Sequence, residues 1–137
     1  MNKIFNELYN QRLTTLIKAI NATGLDEFLK DNIPITLFAP ANFAFNNFND
    51  KSMIKDIKKL KIILENHIVL QKILIGDNKN RKLKTVRGNY INLAEGENPK
   101  INNIPILKPN ISFDNGIIHI IIDLLIPKKK AIKSIRS

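Results

Sequence analysis

The 137-residue chain contains no cysteine and no tryptophan, and only 7% of its residues are aromatic. Without cysteine there is no disulfide framework, so the fold must be held by packing alone. The same absence excludes thiol catalysis and cysteine-ligated metals. The length fits one domain with a sizeable core, and the 44% hydrophobic and 25% charged content is typical of a globular protein.

Apolar runs long enough to span a membrane are also missing. No stretch of about eighteen residues is both apolar and free of charge, so the sequence predicts no transmembrane helix. Residues 1–7 lack the apolar centre and the small-residue cleavage site of a secretory signal. We therefore expect either a protein that stays inside the cell, or a mature form or excised domain.

Recognisable catalytic motifs are absent as well, since the sequence has no Walker loop, no His-Glu-x-x-His and no serine nucleophile elbow. We predict that the protein is not an enzyme and needs no cofactor. The two histidines, His67 and His119, allow two interpretations: a metal pair or general base, or structural rings that bond neighbouring backbone or hydroxyl groups. We favour the structural one and predict no metal site, because two histidines are too few for a closed zinc site.

The formal charge of +10 is concentrated in parts of the chain. Residues 51–87 hold eleven basic and three acidic side chains, and the tail 127–137 holds five basic ones and no acidic one. If the basic groups face one way, they form a positive patch able to attract polyanions. The candidates are Lys55, Lys58, Lys59, Lys61, Lys79, Arg81, Lys82, Lys84 and Arg87.

The alternative to such a patch is an ordinary surface of solvated lysines, and the sequence favours neither interpretation over the other. Nucleic acid is the less favoured ligand because aromatic residues are not interleaved with the charges, only Tyr90 being close by. An anionic polysaccharide or an anionic membrane surface would need no aromatic side chains.

The first half of the chain reads as mainly helical. A first helix is predicted by apolar residues at helical spacing, Leu13, Leu16, Ile17 and Ile20. Gly24 would end it in a left-handed cap, before a short helix with Leu25, Phe28 and Leu29. A strand follows at Ile35–Ala39, and Asn42 is the expected N-cap of the next helix. Ser52 or Asp56 should cap further helical turns.

The second half reads as β-rich, with turn residues between short apolar segments. The predicted strands lie at Ile68–Ile75, Leu83–Val86, Tyr90–Leu93, Lys100–Asn102, Ile104–Leu107 and Ile117–Leu125. Helices first and strands afterwards predict an α+β domain with a mostly antiparallel sheet. We place this domain at residues 1–127 and predict a basic, disordered tail at 128–137.

Two segments resemble a known family when taken together. Thr36–Phe45 is a buried strand that stops at Pro40 and turns into a helix, and Asn115–Pro127 is a turn followed by a long apolar run. In this order and at this separation they are similar to the two signature segments of the fasciclin domain, and the resemblance covers about residues 12–127. It implies a β-sandwich or wedge with helices packed along its edge.

The resemblance also implies a function, because fasciclin domains are known mostly for cell adhesion and matrix binding. It assigns partner contact to Asn66, His67, Asn110 and Ile111, which occupy the family's recognition positions. Two departures count against an integrin contact of the animal type. Asparagine replaces the tyrosine of the family's Tyr-His pair, and Asn110-Ile111 stands where the family has Asp-Ile.

The leading hypothesis is therefore a non-catalytic adhesion or surface-binding module for a protein or glycopolymer partner, outside the cell or at its surface. The alternative is an intracellular polyanion-binding protein that uses residues 51–87. The two sequons, at Asn21 and Asn110, would carry glycans only if the chain is exported.

Overall fold

The structure is a computed structural model that describes residues 3–127. This part contains six helices, α1 (Ile4–Asn10), α2 (Thr14–Thr23), α3 (Leu25–Lys30), α4 (Asn42–Asn46), α5 (Lys51–Lys55) and α6 (Ile57–Glu65). It also contains seven strands, β1 (Ile35–Pro40), β2 (Ile68–Val69), β3 (Arg81–Lys84), β4 (Tyr90–Ala94), β5 (Lys100–Ile101), β6 (Ile104–Phe113) and β7 (Gly116–Ile121). The predicted α+β class is confirmed, whereas the predicted tail 128–137 lies outside the described residues.

The strands pair in the order β2-β1-β7-β6-β5-β4-β3, and every neighbouring pair is antiparallel except β1 and β7, which are parallel. The start of β6 pairs with β5, and its residues from Ile106 onward pair with β7. The two ends of the series also meet: Thr85 bridges Val69, and the Val86 N–H donates to the Ile68 carbonyl at 2.8 Å. The sheet thus folds back on itself, as a sandwich or wedge requires.

Two apolar cores lie on opposite faces of the β1–β7 pair. The first packs the helices against these strands and includes Leu16, Ile20, Leu64 and Ile118. The second lies between the two halves of the folded sheet and includes Phe38, Ile91, Leu93 and Ile121. Every residue of β1 and β7 is buried. Because both faces of these strands are covered, they appear in the sequence as unbroken apolar runs rather than as alternating patterns.

Gly116 begins β7 at the point where the β1 backbone passes closest. A Cβ at this position would lie 1.9 Å from the Ile35 carbonyl oxygen and 2.7 Å from the Phe113 ring. A larger residue therefore cannot occupy the start of β7 without moving a strand. The parallel pairing of β1 and β7 depends on this glycine.

Several predicted boundaries were wrong. The predicted strand from Ile68 pairs only as far as Val69. β6 continues to Phe113, past its two prolines, and its register shifts explain why no clean alternation marked it. β7 ends at Ile121 instead of Leu125. Helix α1 was missed because it buries only two residues and so shows no apolar period.

The predicted helix caps were partly right. Asp56 caps α6 by accepting hydrogen bonds from the Lys58 and Lys59 N–H groups, and Gly24 ends α2 with a left-handed φ of 78°. Asn42, in contrast, does not cap its own helix. Its side-chain oxygen accepts the Thr15 N–H at 3.0 Å, so it caps α2 from a distant part of the chain.

Among residues 3–127, no helix is long and apolar enough to cross a bilayer.

Candidate functional site

The end of α6 places Asn66 and His67 against the last buried segment of the described chain. His67 Nδ1–H donates to the Ile63 carbonyl at 2.7 Å, and Nε2 accepts the Leu125 N–H at 2.9 Å. The Asn66 side-chain amide donates to the Leu125 carbonyl at 3.0 Å. The two side chains thereby satisfy both backbone polar groups of Leu125, and we call them the Leu125 clamp.

The clamp is closed to solvent, since Asn66 is 1% exposed and His67 is 0% exposed. Burial lowers the pKa of His67 to about 4, against the hydrogen bond to Ile63, which favours the protonated ring. A protonated ring would have two donors and could no longer accept the Leu125 N–H. His67 is therefore neutral at pH 7, and both its nitrogens are occupied.

His119 has an equivalent role in β7. Its Nε2–H donates to the Ile73 carbonyl at 2.8 Å, and its Nδ1 accepts the Asn110 N–H at 3.0 Å. The ring stacks on Phe38 with centroids 5.3 Å apart. Burial lowers its pKa, opposed by the Ile73 hydrogen bond. The structural interpretation of both histidines is confirmed, because each ring joins separate segments through backbone groups.

Asn110 holds the backbone of a neighbouring segment. Its side-chain oxygen accepts the Ile75 N–H at 2.9 Å, and its amide donates to the Ile75 carbonyl at 2.8 Å. Its φ of 60° is in the left-handed region, which asparagine tolerates better than most residues. The neighbouring Ile111 is buried, with 8% exposure.

These positions bear on the partner contact that the resemblance assigned to four residues, and that contact stays a prediction. Asn66, His67 and Ile111 are buried, and both polar ends of the exposed Asn110 side chain are occupied. A partner does not reach the three buried side chains in this conformation, because they face the interior and two of them bond backbone groups there. Recognition elsewhere in this region of the surface stays a prediction.

Residues 70–79, which we call the pinned loop, form no helix or strand and are held by side chains from elsewhere. Thr36 Oγ1 accepts the Ile73 N–H at 2.8 Å and donates to the Gln71 carbonyl at 2.6 Å. His119 and Asn110 hold Ile73 and Ile75, as described above. The loop is therefore fixed at its centre by three side chains of the β1, β6 and β7 strands.

Glu95 and Arg81 fix the remainder of the pinned loop. Glu95 Oε1 accepts the N–H groups of Gly76 and Asn78 at 2.7 and 3.1 Å. The Arg81 guanidinium donates to the Leu74 carbonyl at 2.6 Å and to Glu95 Oε2 at 3.0 Å. Burial opposes ionisation of Glu95, but the hydrogen bonds from Gly76 and Arg81 outweigh it and hold its pKa below the usual range. Sequence reasoning missed Glu95 entirely, and its only signal was an acidic residue directly after a strand.

The structure divides the nine basic candidates into two groups. Arg81 and Arg87 are half-buried and face carboxylates, Glu95 at 3.0 Å and Glu65 at 3.8 Å respectively. Lys59 is half-buried too. The remaining six are exposed, namely Lys55, Lys58, Lys61, Lys79, Lys82 and Lys84. Arg81 is thus part of the fold's framework rather than a free cation for a polyanion.

The basic residues of α6 and those around β3 lie on elements that are in contact. Glu65, at the end of α6, lies 3.8 Å from Arg87 in the turn between β3 and β4. Lys58, Lys61 and Glu65 follow one another at helical spacing, so they share one face of α6. The lysine face of α6 therefore borders the β3–β4 turn. On β3, the Lys82 ammonium lies over the Tyr90 ring, 5.0 Å from its centroid.

Between positions 3 and 127, no group of three or more histidine, aspartate or glutamate side chains gathers to hold a metal ion. Asp56 caps α6 and Glu65 faces Arg87, so these two carboxylates are already engaged. What the arrangement does provide is a rigid surface with many exposed lysines.

Comparison with known proteins agrees with this architecture. A statistical model of the fasciclin domain matches residues 11–127. The uncharacterized protein sll1735 of Synechocystis is 30% identical over 121 residues, which cover 85% of this chain and 91% of that protein. Fasciclin-1 of the grasshopper Schistocerca americana is 32% identical over 105 residues, which are 66% of this chain but only 16% of that protein.

A solved structure gives the same result. A pair of such domains from the insect cell adhesion molecule Fasciclin I superimposes with a TM-score of 0.69 at 26% identity, covering 88% of this chain and 47% of that chain. The expected fold is therefore confirmed by both sequence and structure. The chain belongs to the fasciclin domain family.

Proposed function

We propose that this protein is a non-catalytic binding module of the adhesion type, which recognises a protein or an anionic polysaccharide at the cell surface or in the extracellular matrix. Family membership and the adhesion role named for Fasciclin I support this. The observation that carries the proposal is a contrast. Both histidines are buried and make backbone hydrogen bonds with both ring nitrogens, whereas eight lysines of the region 51–87 are exposed.

The lysine face of α6 is the contact surface we assign to an acidic partner. Lys58 and Lys61 are exposed on one face of α6, and Lys55 is exposed just before this helix. They belong to a protein of net charge +10, so an acidic polymer or an acidic protein surface is attracted from a distance. Lysine side chains are flexible, strongly hydrated cations, which suits a repetitive polyanion better than a single bidentate ligand.

Binding of the purified domain to envelopes of the cells that produce it tests the proposal. We expect sedimentation with the envelopes at physiological salt, and no retention would refute the proposal. The variant Lys58→Glu/Lys61→Glu should bind at least about thirtyfold less, because each of the two lysines near an anionic surface contributes about 1 kcal/mol. A matched control, Lys100→Glu/Lys108→Glu, makes the same change of charge outside residues 51–87 and should bind like the wild type.

The class of partner follows from pretreating the envelopes. Loss of binding after protease treatment identifies a protein, and loss after removal of anionic polysaccharide identifies the polymer. Either result supports the proposal if the lysine variant binds more weakly than its control. Equal binding by the two variants would contradict the assigned surface.

A second candidate function is binding of an intracellular polyanion by the exposed lysines of residues 51–87. The exposed Lys82 over the Tyr90 ring favours it, since an aromatic ring beside a cation is a common element of nucleic-acid surfaces. Affinity for DNA, RNA or heparin should then fall steeply with salt, because neutralised phosphates or sulfates release counterions. Affinity that ignores salt would exclude this candidate.

A further inference from the structure

The pinned loop exposes two large apolar side chains. Leu70 is 48% exposed and Leu74 is 52% exposed, whereas Ile73 between them is buried. Lys72, which is also exposed, lies between the two leucines in the sequence. The loop therefore presents apolar groups around a cation, whereas a loop tip is ordinarily polar.

Part of the pinned-loop backbone is hydrogen-bonded from within the protein. Between Gln71 and Asn78, eight hydrogen bonds join backbone groups to side chains of the surrounding structure, those of Thr36, Arg81, Glu95, Asn110 and His119. Irregular backbone enters an apolar medium only when its polar groups have partners inside the protein. This loop meets that requirement fully at Ile73 and Ile75, whose N–H and C=O groups are all bonded, and at one group each of Gln71, Leu74, Gly76 and Asn78.

The charges around the pinned loop are mainly positive. Lys72 and Lys79 are exposed within it, whereas the Arg81 guanidinium at the Leu74 carbonyl is neutralised by Glu95. Asp77 is the only acidic residue of positions 70–79. Lysines beside an apolar anchor can lay their methylene stems along it and keep the ammonium group in water. This combination fits an interface whose outer layer is anionic and whose interior is apolar.

We propose that the pinned loop binds an anionic lipid bilayer, with Leu70 and Leu74 entering the interfacial region and the neighbouring lysines meeting the headgroups. The net charge of +10 brings the domain to the surface, and the leucines add the second signal that stable peripheral binding needs. Because the loop is already fixed, little conformational entropy is lost on binding. This site is separate from the lysine face of α6, so its test does not depend on whether that face binds a polymer.

A fluorescent reporter can test insertion directly, because the chain contains no tryptophan. We would introduce Leu74→Trp and record its emission with vesicles of equal parts phosphatidylcholine and phosphatidylserine. We expect a shift to shorter wavelength and quenching by brominated lipid. The control variant is Tyr9→Trp at a 61% exposed position of α1, outside both the pinned loop and the lysine face of α6, and its emission should not shift.

Substitutions that leave the fold untouched test the energetics. Leu70→Ser and Leu74→Ser should each reduce partitioning to these vesicles about fivefold, as expected for removing a half-exposed leucine from the interface. Asp77→Lys should strengthen binding. Vesicles of pure phosphatidylcholine should bind weakly, and added salt should lower binding to the mixed vesicles.

Three results would overturn the proposal. One is an unshifted emission of the Leu74→Trp variant in the presence of the mixed vesicles. Another is an equal shift for the Tyr9→Trp variant, which would show non-specific adsorption. The third is unchanged vesicle binding by both serine variants together with weakened binding to lipid-extracted envelopes, which would assign the leucines to a protein partner.

Discussion

Mild acid should destabilise this protein before its carboxylates titrate, and the buried His67 should be the main cause. In the folded state its Nε2 must accept the Leu125 N–H and its Nδ1–H donates to Ile63, so only the neutral ring fits. Burial lowers its pKa from 6.5 to about 4. Protonation therefore favours the unfolded chain and weakens the Leu125 clamp.

The size of the effect follows from these two pKa values. Above the unfolded pKa of 6.5 the contribution of His67 to stability is complete, and it is lost as the pH falls towards the folded pKa of about 4. Within that window the unfolded chain binds a proton that the folded protein excludes, so stability falls with pH. Between about pH 8 and about pH 5 the loss from His67 is about 2 kcal/mol. His119, whose pKa is also lowered by burial, adds to the loss in the same direction.

Urea unfolding at a series of pH values measures this loss. The variant His67→Gln should be less stable than the wild type at about pH 8, but its stability should fall by about 2 kcal/mol less on the way to about pH 5. The variant His119→Gln serves as the matched control and should keep the part of the pH dependence that His67 causes. If His67→Gln and the wild type lose stability equally over this window, the assignment to His67 is wrong.

Three further predictions concern the frame around the site. Gly116→Ala should lower the free energy of unfolding by about 3 kcal/mol or more, because the alanine Cβ would meet the Ile35 carbonyl. An unchanged urea midpoint would contradict the β1–β7 spacing. Asn42→Ala should lower the free energy of unfolding by about 1–2 kcal/mol in the same assay. Asn42→Asp should lower it by less, since aspartate keeps the acceptor for the α2 N–H group, and equal losses would argue against the cap. Glu95→Gln should speed tryptic cleavage after Lys79 in the folded protein, because it weakens the bonds that hold the pinned loop. The control Glu97→Gln in the same turn should leave the rate unchanged, and equal cleavage rates would show that Glu95 does not hold the loop.

Much of the frame was predictable because it depends on local patterns. β1 and most of β7 are visible as apolar runs, since both faces of these strands are covered by the two cores. Asp56 was predicted as one of two caps, and it bonds N–H groups only two and three residues away. Gly24 was predicted as the end of α2 because a left-handed residue there favours glycine.

The candidate site was less predictable because its contacts join distant parts of the chain. His67 and Leu125 are 58 residues apart, and Asn42 caps a helix 27 residues before it. No periodicity records such pairs. Residues 70–75 of the pinned loop were predicted as part of a strand because they are mostly apolar, but their backbone bonds go to side chains such as Thr36 and Asn110 instead of to a neighbouring strand. Burial of the positions assigned by resemblance could be seen only once the fold was known.

The central claim is that recognition uses the exposed surface while the Leu125 clamp holds the fold. The most direct test compares envelope binding by two variants at pH 7, at a temperature where circular dichroism shows both to be folded. We predict that His67→Gln binds like the wild type and that Lys58→Glu/Lys61→Glu binds at least about thirtyfold less. Loss of binding by folded His67→Gln, with binding retained by the lysine variant, would contradict the claim.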